Sequence, residues 1–483
     1  MADPDDKDPK GGDDEGQSST GSLLKVSSSL ADDILADLEA AEGTLDEATS
    51  QELDVITDEA LRAIADQAVA ERVARDGGNQ DDSAEDLTYF DIVYTQFRKN
   101  TVSYWSLWFV FLLFLLAVFA PAISSNQPVF WKTADGVSSP WLVSLFDRNF
   151  FENPVDIFFN LLLVIGLPLS AFAAWRVKKI GALGLPKRPR RRLMRKVVFQ
   201  LIGLVAVLYA GLLLAPSSGR YILYPELEAT LQADGKEVSA IYPPSRYTFR
   251  QTGFKSVAKP SLTHLLGTDQ STRDVATRLL FGTRISLTIG IIAVAIYVFI
   301  GILLGATAGY FGGRVDMAIQ RMIEITMSVP TFFVILTVMA FLEKRSIFHI
   351  MLAIGLVRWT GVARLVRGEF LRLRNLDFVT AAHALGYPRR RIIFEHILPN
   401  ALGPVLVSAA FGVASAILLE STLSFLGLGD LSAPSWGQII QEGYATGAWH
   451  LILAPGFAIF VTVSALNLAG EGLRDALDPK LRQ

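Results

Sequence analysis

Cysteine is absent from all 483 residues. That excludes disulfides, thiolate metal sites, iron–sulfur clusters and cysteine nucleophiles. Histidine is nearly as scarce: His264, His349, His383, His396 and His450 stand apart without a His-Glu-x-x-His pair, which argues against a zinc hydrolase. No G-x-x-x-x-G-K-[ST], G-x-S-x-G or G-x-G-x-x-G run occurs, so the chain offers no P-loop for ATP, no nucleophile elbow and no dinucleotide fingerprint. No residue qualifies as catalytic, metal-ligating or cofactor-binding. The expectation is a chain that is not an enzyme and holds no cofactor of its own. The first 20 residues are Asp-rich and lack an apolar core, so no cleavable signal peptide is expected.

Charge is also thin, at 19% of residues, where a soluble domain carries about 25%. It is unevenly placed. Residues 1–88 hold 25 acids and 6 bases, and the remainder holds 23 acids and 38 bases. An acidic cytoplasmic head thus precedes a basic, apolar body. Residues 1–28 have the composition of a disordered tail. After them Leu30, Ile34 and Leu38, then Leu53, Ile56, Ala60, Ile64 and Ala68, recur at the spacing of two short amphipathic helices. The head reads as a solvated tail or as a docking element for a partner protein; its acidity argues against anionic lipid and nucleic acid.

What is abundant is apolar sequence, 51% of the chain. A bilayer core about 30 Å thick needs ~20 apolar helical residues. Eight windows qualify: 102–123, 155–176, 197–216, 284–308, 316–342, 347–364, 400–424 and 451–470. The expected class is an all-α polytopic membrane protein of about eight spans. The stretch 176–196 holds ten bases and no acid, and 364–399 holds seven arginines against three acids. Lys/Arg-rich short loops stay cytoplasmic. Eight spans then put both termini inside and 125–154, 217–283 and 425–450 outside.

From about residue 258 the chain carries a series of motifs: His264-Leu-Leu-Gly-Thr-Asp269, Arg273-Asp274, Gly282-Thr-Arg-Ile-Ser-Leu287 and Ala308-Gly-Tyr-Phe-Gly-Gly-Arg-Val-Asp316. They continue as Asp377-Phe-Val-Thr-Ala-Ala-His-Ala-Leu-Gly386, Arg391-Ile-Ile-Phe-Glu-His-Ile-Leu-Pro-Asn400, Ser424-Phe-Leu-Gly-Leu-Gly429, Pro434-Ser-Trp-Gly437 and Gly472-Leu-Arg-Asp-Ala-Leu-Asp-Pro479. This order resembles the permease subunits of ATP-binding-cassette importers in the dipeptide/oligopeptide/nickel branch, over 258–483 and more loosely over 96–123. The resemblance implies a six-helix core in the bacterial inner membrane, half of a translocation path. It implies as partners a second, homologous permease, two nucleotide-binding ATPase domains that bind the ATP, and an extracytoplasmic substrate-binding protein. Peptides are the default cargo, with nickel or other solutes open. The chain divides into the head 1–88, a first span within 89–124, an insertion 125–257 with two extra spans, and the core 258–483 with a cytoplasmic loop 365–399. Two positions depart from the family: Thr380 stands where a Glu is usual, and Thr272 where a Gly is usual.

A chain without an ATP site must receive work from a neighbour. The segment 377–385 reads as a short helix rich in alanine, ended by Gly386, with Pro388 opening a second helix and Pro399 marking re-entry into the membrane. Thr380, Ala381, Ala382, Gly386, Leu398 and Pro399 are therefore the expected ATPase-coupling residues, with Ala382 on the docking face. Ionisable residues inside spans face the bundle or a cavity. Arg358 and Glu420, with Pro330 as a kink in the fifth span, are candidates for the translocation path; structural pairing is the alternative. Arg321 and Glu324 have the spacing of a pair. A gradient-driven carrier would show two related halves with broken helices, and an intramembrane enzyme would show a catalytic set; neither is present in the sequence.

Overall fold

The computed structural model describes residues 89–134, 136–182, 187–215 and 222–477. The acidic head and its amphipathic helices lie outside the described residues. Helix α1 (Tyr89–Lys99) leads through Asn100, whose side chain accepts from the Ser103 N–H at 3.2 Å, into α2 (Thr101–Ile123). The insertion follows: β1 (Phe130–Thr133), β2 (Gly136–Ser138), α3 (Pro140–Ser144), α4 (Pro154–Ala182), α5 (Lys187–Leu214), α6 (Tyr224–Ala233) and β3 (Ser239–Ile241). The core comprises α7 (Val275–Phe311), α8 (Gly313–Met327), α9 (Thr331–Phe341), α10 (Ile347–Leu373) and α11 (Asp377–Ala384). It ends with α12 (Arg389–Arg391), a π-helical turn (Ile392–Ile397), α13 (Leu398–Phe425), α14 (Trp436–Thr446) and α15 (Trp449–Leu477).

Seven helical runs among the described residues are long and apolar enough to cross a bilayer: α2, α4, most of α5, α7, α10, the continuous stretch Arg389–Phe425, and α15. An eighth crossing requires α8 and α9 together, and these are bent by 74°. The kink expected at Pro330 in a span over 316–342 is thus a sharp break between two helices that together make at most one crossing. Pro330 is the cause: it has no N–H to donate back into α8 and disfavours helical backbone at Val329, so it caps α9 instead. The small sheet, ordered β2-β1-β3 and antiparallel throughout, is an addition to the all-α expectation and belongs to the insertion.

The connecting loops meet in two groups. At one end Ser124 bonds Ser245 and Thr277, Gln127 bonds the Ile222 carbonyl, and Arg345 bonds the Gly427 carbonyl. At the other end Arg374 bonds the Gly309 carbonyl at 3.0 Å. After the sequence expectation, the first is named the outer end and the second the inner end.

The tightest pair in the core is α7 against α10. Gly301, Gly305 and Gly309 repeat every fourth residue on α7, and a Cβ on each would lie 2.6, 2.5 and 2.5 Å from Val362, the Ala363 carbonyl and Phe370. Small residues at this spacing let membrane helices touch backbone to side chain, where dispersion contacts are the driving force. These two helices carry the groups described next.

Candidate coupling and translocation site

At the inner end, α11 stands between Leu376 and a turn at Gly386. Gly386 takes φ +73 with open space around it. Its N–H bonds the His383 carbonyl at 3.0 Å, and the Tyr387 N–H bonds the Ala382 carbonyl at 3.1 Å. Those two bonds form a Schellman cap, which requires the left-handed residue that glycine supplies. Val379 and Ala382 are buried against the main core cluster. Ala382 therefore does not lie on the docking face, as the sequence led us to expect. The outward face is Phe378, Thr380, Ala381, Ala384 and Leu385, the last 70% exposed. On that face the Thr380 hydroxyl donates to the carbonyl of Leu376, the residue that caps α11, at 3.4 Å.

Beyond the turn, Tyr387 stacks on His396, with ring centroids 5.8 Å apart, and lies 4.1 Å under the Arg391 guanidinium. Arg391 also pairs with Glu395 at 2.9 Å. Pro399, expected to mark the membrane re-entry, lies within a helical run from Arg389 to Phe425. The wide π turn just before Leu398-Pro399 takes up the missing N–H and the bulk of the proline ring. Leu398 packs against the same core as Ala382. Beside this loop, Arg367 on α10 clasps Asp316 on α8 with two bonds of 2.5 and 2.7 Å. Arg321 and Glu324 do pair, at 2.6 Å, but both are exposed, and such pairs contribute little.

Within the spans, Glu420 is 1% exposed. Its carboxylate accepts from the hydroxyls of Ser424 and Ser435 at 2.7 Å and of Ser286 and Ser421 at 3.4 Å. It is therefore enclosed and does not line an open groove; it fastens α7 and α13 to the outer loop. That loop is itself turned inward. Ser424, Ser435 and Trp436 are buried, while Leu426, Leu431 and Ser432 are exposed. Arg358 lies on the wall of a cavity between α7, α10 and α13, where it donates to Ser415.

Two ionisable residues that were not among the expected site residues form a buried pair. Arg284 of α7 and Asp156 of α4 meet at 3.1 Å, with side chains 0% and 2% exposed. Arg284 also donates to the Ala117 and Val118 carbonyls of α2 at 2.6 and 3.3 Å. Pro121 lies four residues after Ala117 and has no N–H, so the Ala117 carbonyl is free to accept. At the outer end Asp269 bonds Arg273 and Arg278, which both reach Glu442. Thr272, in the same turn, holds φ +65. That is a strained conformation for a β-branched residue. Arg250 of the insertion bonds Glu152 at 2.6 Å and the Ser432 carbonyl at 3.3 Å; its guanidinium holds the Glu152 carboxyl below the ordinary range.

Residues 301–483 match the family described as binding-protein-dependent transport system inner membrane component. Residues 88–136 match the N-terminal TM domain of oligopeptide transport permease C. The chain is 46% identical over 244 residues to the oligopeptide transport system permease protein OppC of Haemophilus influenzae, covering 49% of this chain and 78% of that one. It is 41% identical over 239 residues to the dipeptide transport system permease protein DppC of Bacillus subtilis, covering 48% and 74%. A solved inward-facing MetNI methionine ABC transporter overlaps with TM-score 0.35 and 16% identity, over 42% of this chain and 96% of that one. With motifs, multi-pass helical architecture and relatives in agreement, the chain belongs to the binding-protein-dependent inner membrane permeases, in the oligopeptide and dipeptide branch.

Proposed function

We propose that this chain is one half of the translocation path of an ATP-driven peptide importer, working with a second permease, two ATPase domains that bind the ATP, and an extracytoplasmic binding protein. Peptides are favoured as cargo because the relatives are named oligopeptide and dipeptide permeases. Both termini and the basic segments 176–196 and 364–399 face the cytoplasm in this reading. The observation that carries it is mechanical. An exposed, firmly capped helix sits beside a continuous helix of 37 residues, Arg389–Phe425, whose far end is bonded through Glu420 to the outer loop. A push on α11 is thus delivered across the membrane rather than absorbed at a joint. Pro330, at the 74° break, and Arg358 line or gate the path.

The outward face of α11 supplies the test. Ala381→Glu places bulk and charge where an ATPase groove would receive the helix, and Ala381 does not support this chain's own core. Expected are normal insertion and melting, weaker co-purification of the ATPase, and loss of substrate-stimulated ATP hydrolysis. Parental transport by Ala381→Glu would remove α11 as the coupling element.

A further inference from the structure

Arg358 lies eleven residues into α10 and fifteen from its end, hence about 16 and 22 Å from the two ends at 1.5 Å per residue. That is mid-bilayer, where a charge facing lipid is costly and ionisable groups belong to polar paths. The guanidinium has no carboxylate partner among the described residues; the hydroxyl of Ser415 is its hydrogen-bond acceptor. The space before it is a cavity of about 370 Å³ whose polar lining includes Tyr297, Ser408 and Ser415. No acid lines it. Gly361 borders this space with nothing within 4 Å of where a Cβ would sit, and the Tyr297 hydroxyl occupies the place that a Cβ at Gly412 would take. One turn below Gly361, Arg364 and then Gly368 continue the exposed strip of α10 toward the inner end.

We propose that Arg358 is an anion-recognition point midway along the path, where its guanidinium receives the carboxylate of a peptide in transit. This rests on the peptide-importer reading above. The cavity has room for a small group, its lining supplies hydroxyls and one fixed cation, and a guanidinium recognises a carboxylate through two parallel bonds. A carboxylate of the second permease could offer the same chemistry, and the experiment separates the two.

The absence of native cysteine makes the test direct. The complete importer with its binding protein is reconstituted in vesicles, and peptide uptake is measured for the parental complex and for Arg358→Cys. Both are treated alike with a cationic aminoethyl, a neutral methyl or an anionic sulfonatoethyl thiosulfonate. We expect Arg358→Cys to take up peptide about tenfold more slowly, the loss of a hydrogen bond to a charged group. The cationic reagent should restore uptake, and the neutral and anionic ones should not. Uptake independent of Arg358→Cys, or restored equally by the neutral reagent, overturns the proposal. So does loss of the second permease on purification, which would assign the guanidinium to a subunit contact. Failure of the parental complex to import peptide would instead refute the functional reading on which the proposal rests.

Discussion

Asp156→Ala is the substitution with the largest expected consequence. It removes the one carboxylate beside Arg284 and leaves a guanidinium in the interior of α2, α4 and α7 with no countercharge. Breaking a buried pair from one side costs about 3–5 kcal/mol, because the remaining charge stays desolvated. The structure places the cost at the low end, about 3 kcal/mol, for two reasons. The guanidinium keeps three backbone carbonyl acceptors, those of Ala117, Val118 and residue 156, and lies 5.3 and 5.2 Å from the rings of Phe159 and Phe281. The second oxygen of Asp156 is buried without a partner, so the pair is itself imperfect. Asp156→Asn keeps an acceptor and should lose about half as much, in the range of a hydrogen bond to a charged group, roughly 1.5–3 kcal/mol.

The assay is thermal unfolding of the detergent-purified chain, with limited proteolysis after Ala182 as a local reporter of whether α4 has come away. Asp156→Leu combined with Arg284→Met replaces the pair by apolar groups of similar volume, and should recover most of the loss, since such exchanges are often neutral. Asp156→Ala melting with the parental chain would show that the pair contributes nothing and that the insertion is held by other contacts.

Three further outcomes are expected. Gly386→Val should insert normally but fray the end of α11, since positive φ costs a non-glycine residue about 1–2 kcal/mol; substrate-stimulated ATP hydrolysis by the importer reads the loss. Thr272→Asn should raise the melting temperature by the equivalent of about 1 kcal/mol, because asparagine tolerates the left-handed region that threonine resists; an unchanged or lower value would mean that the bond from the Gly253 N–H to the Thr272 hydroxyl outweighs the strain. A cysteine replacing Gly184 should be shielded from an impermeant reagent added outside, and labelling from outside would invert the topology.

How far the sequence could be read depended on whether its signal was local. Span number and position were legible because length and hydropathy are properties of one helix at a time. Gly386 was legible because a capping turn is built from consecutive residues. The angle at Pro330 was not: a proline fixes where a helix breaks, whereas the packing of α8 and α9 on their neighbours fixes by how much. The orientation of α11 shows an intermediate case. Ala381, Ala382 and Ala384 give no amphipathic contrast, and only Val379, three residues before Ala382, marked the buried side.

The buried charges lie furthest from local legibility. Glu420 could be matched in advance with Ser421 and Ser424 on its own helix, but not with Ser286 or Ser435 across the fold. Arg284 and Asp156 each stood inside an expected span, so the cost of an intramembrane charge already required each to have a partner; which partner was hidden by 128 residues of separation. Their pairing also changes what the insertion is. Arg284 belongs to a core motif, Gly282-Thr-Arg-Ile-Ser-Leu287, yet its countercharge comes from α4, outside the core. A helix pair merely appended at the lipid boundary would leave that arginine to the carbonyls of α2 alone. Because α4 neutralises it, removing the two extra spans would strand a desolvated cation within the core, so the insertion is part of what keeps the six-helix core folded.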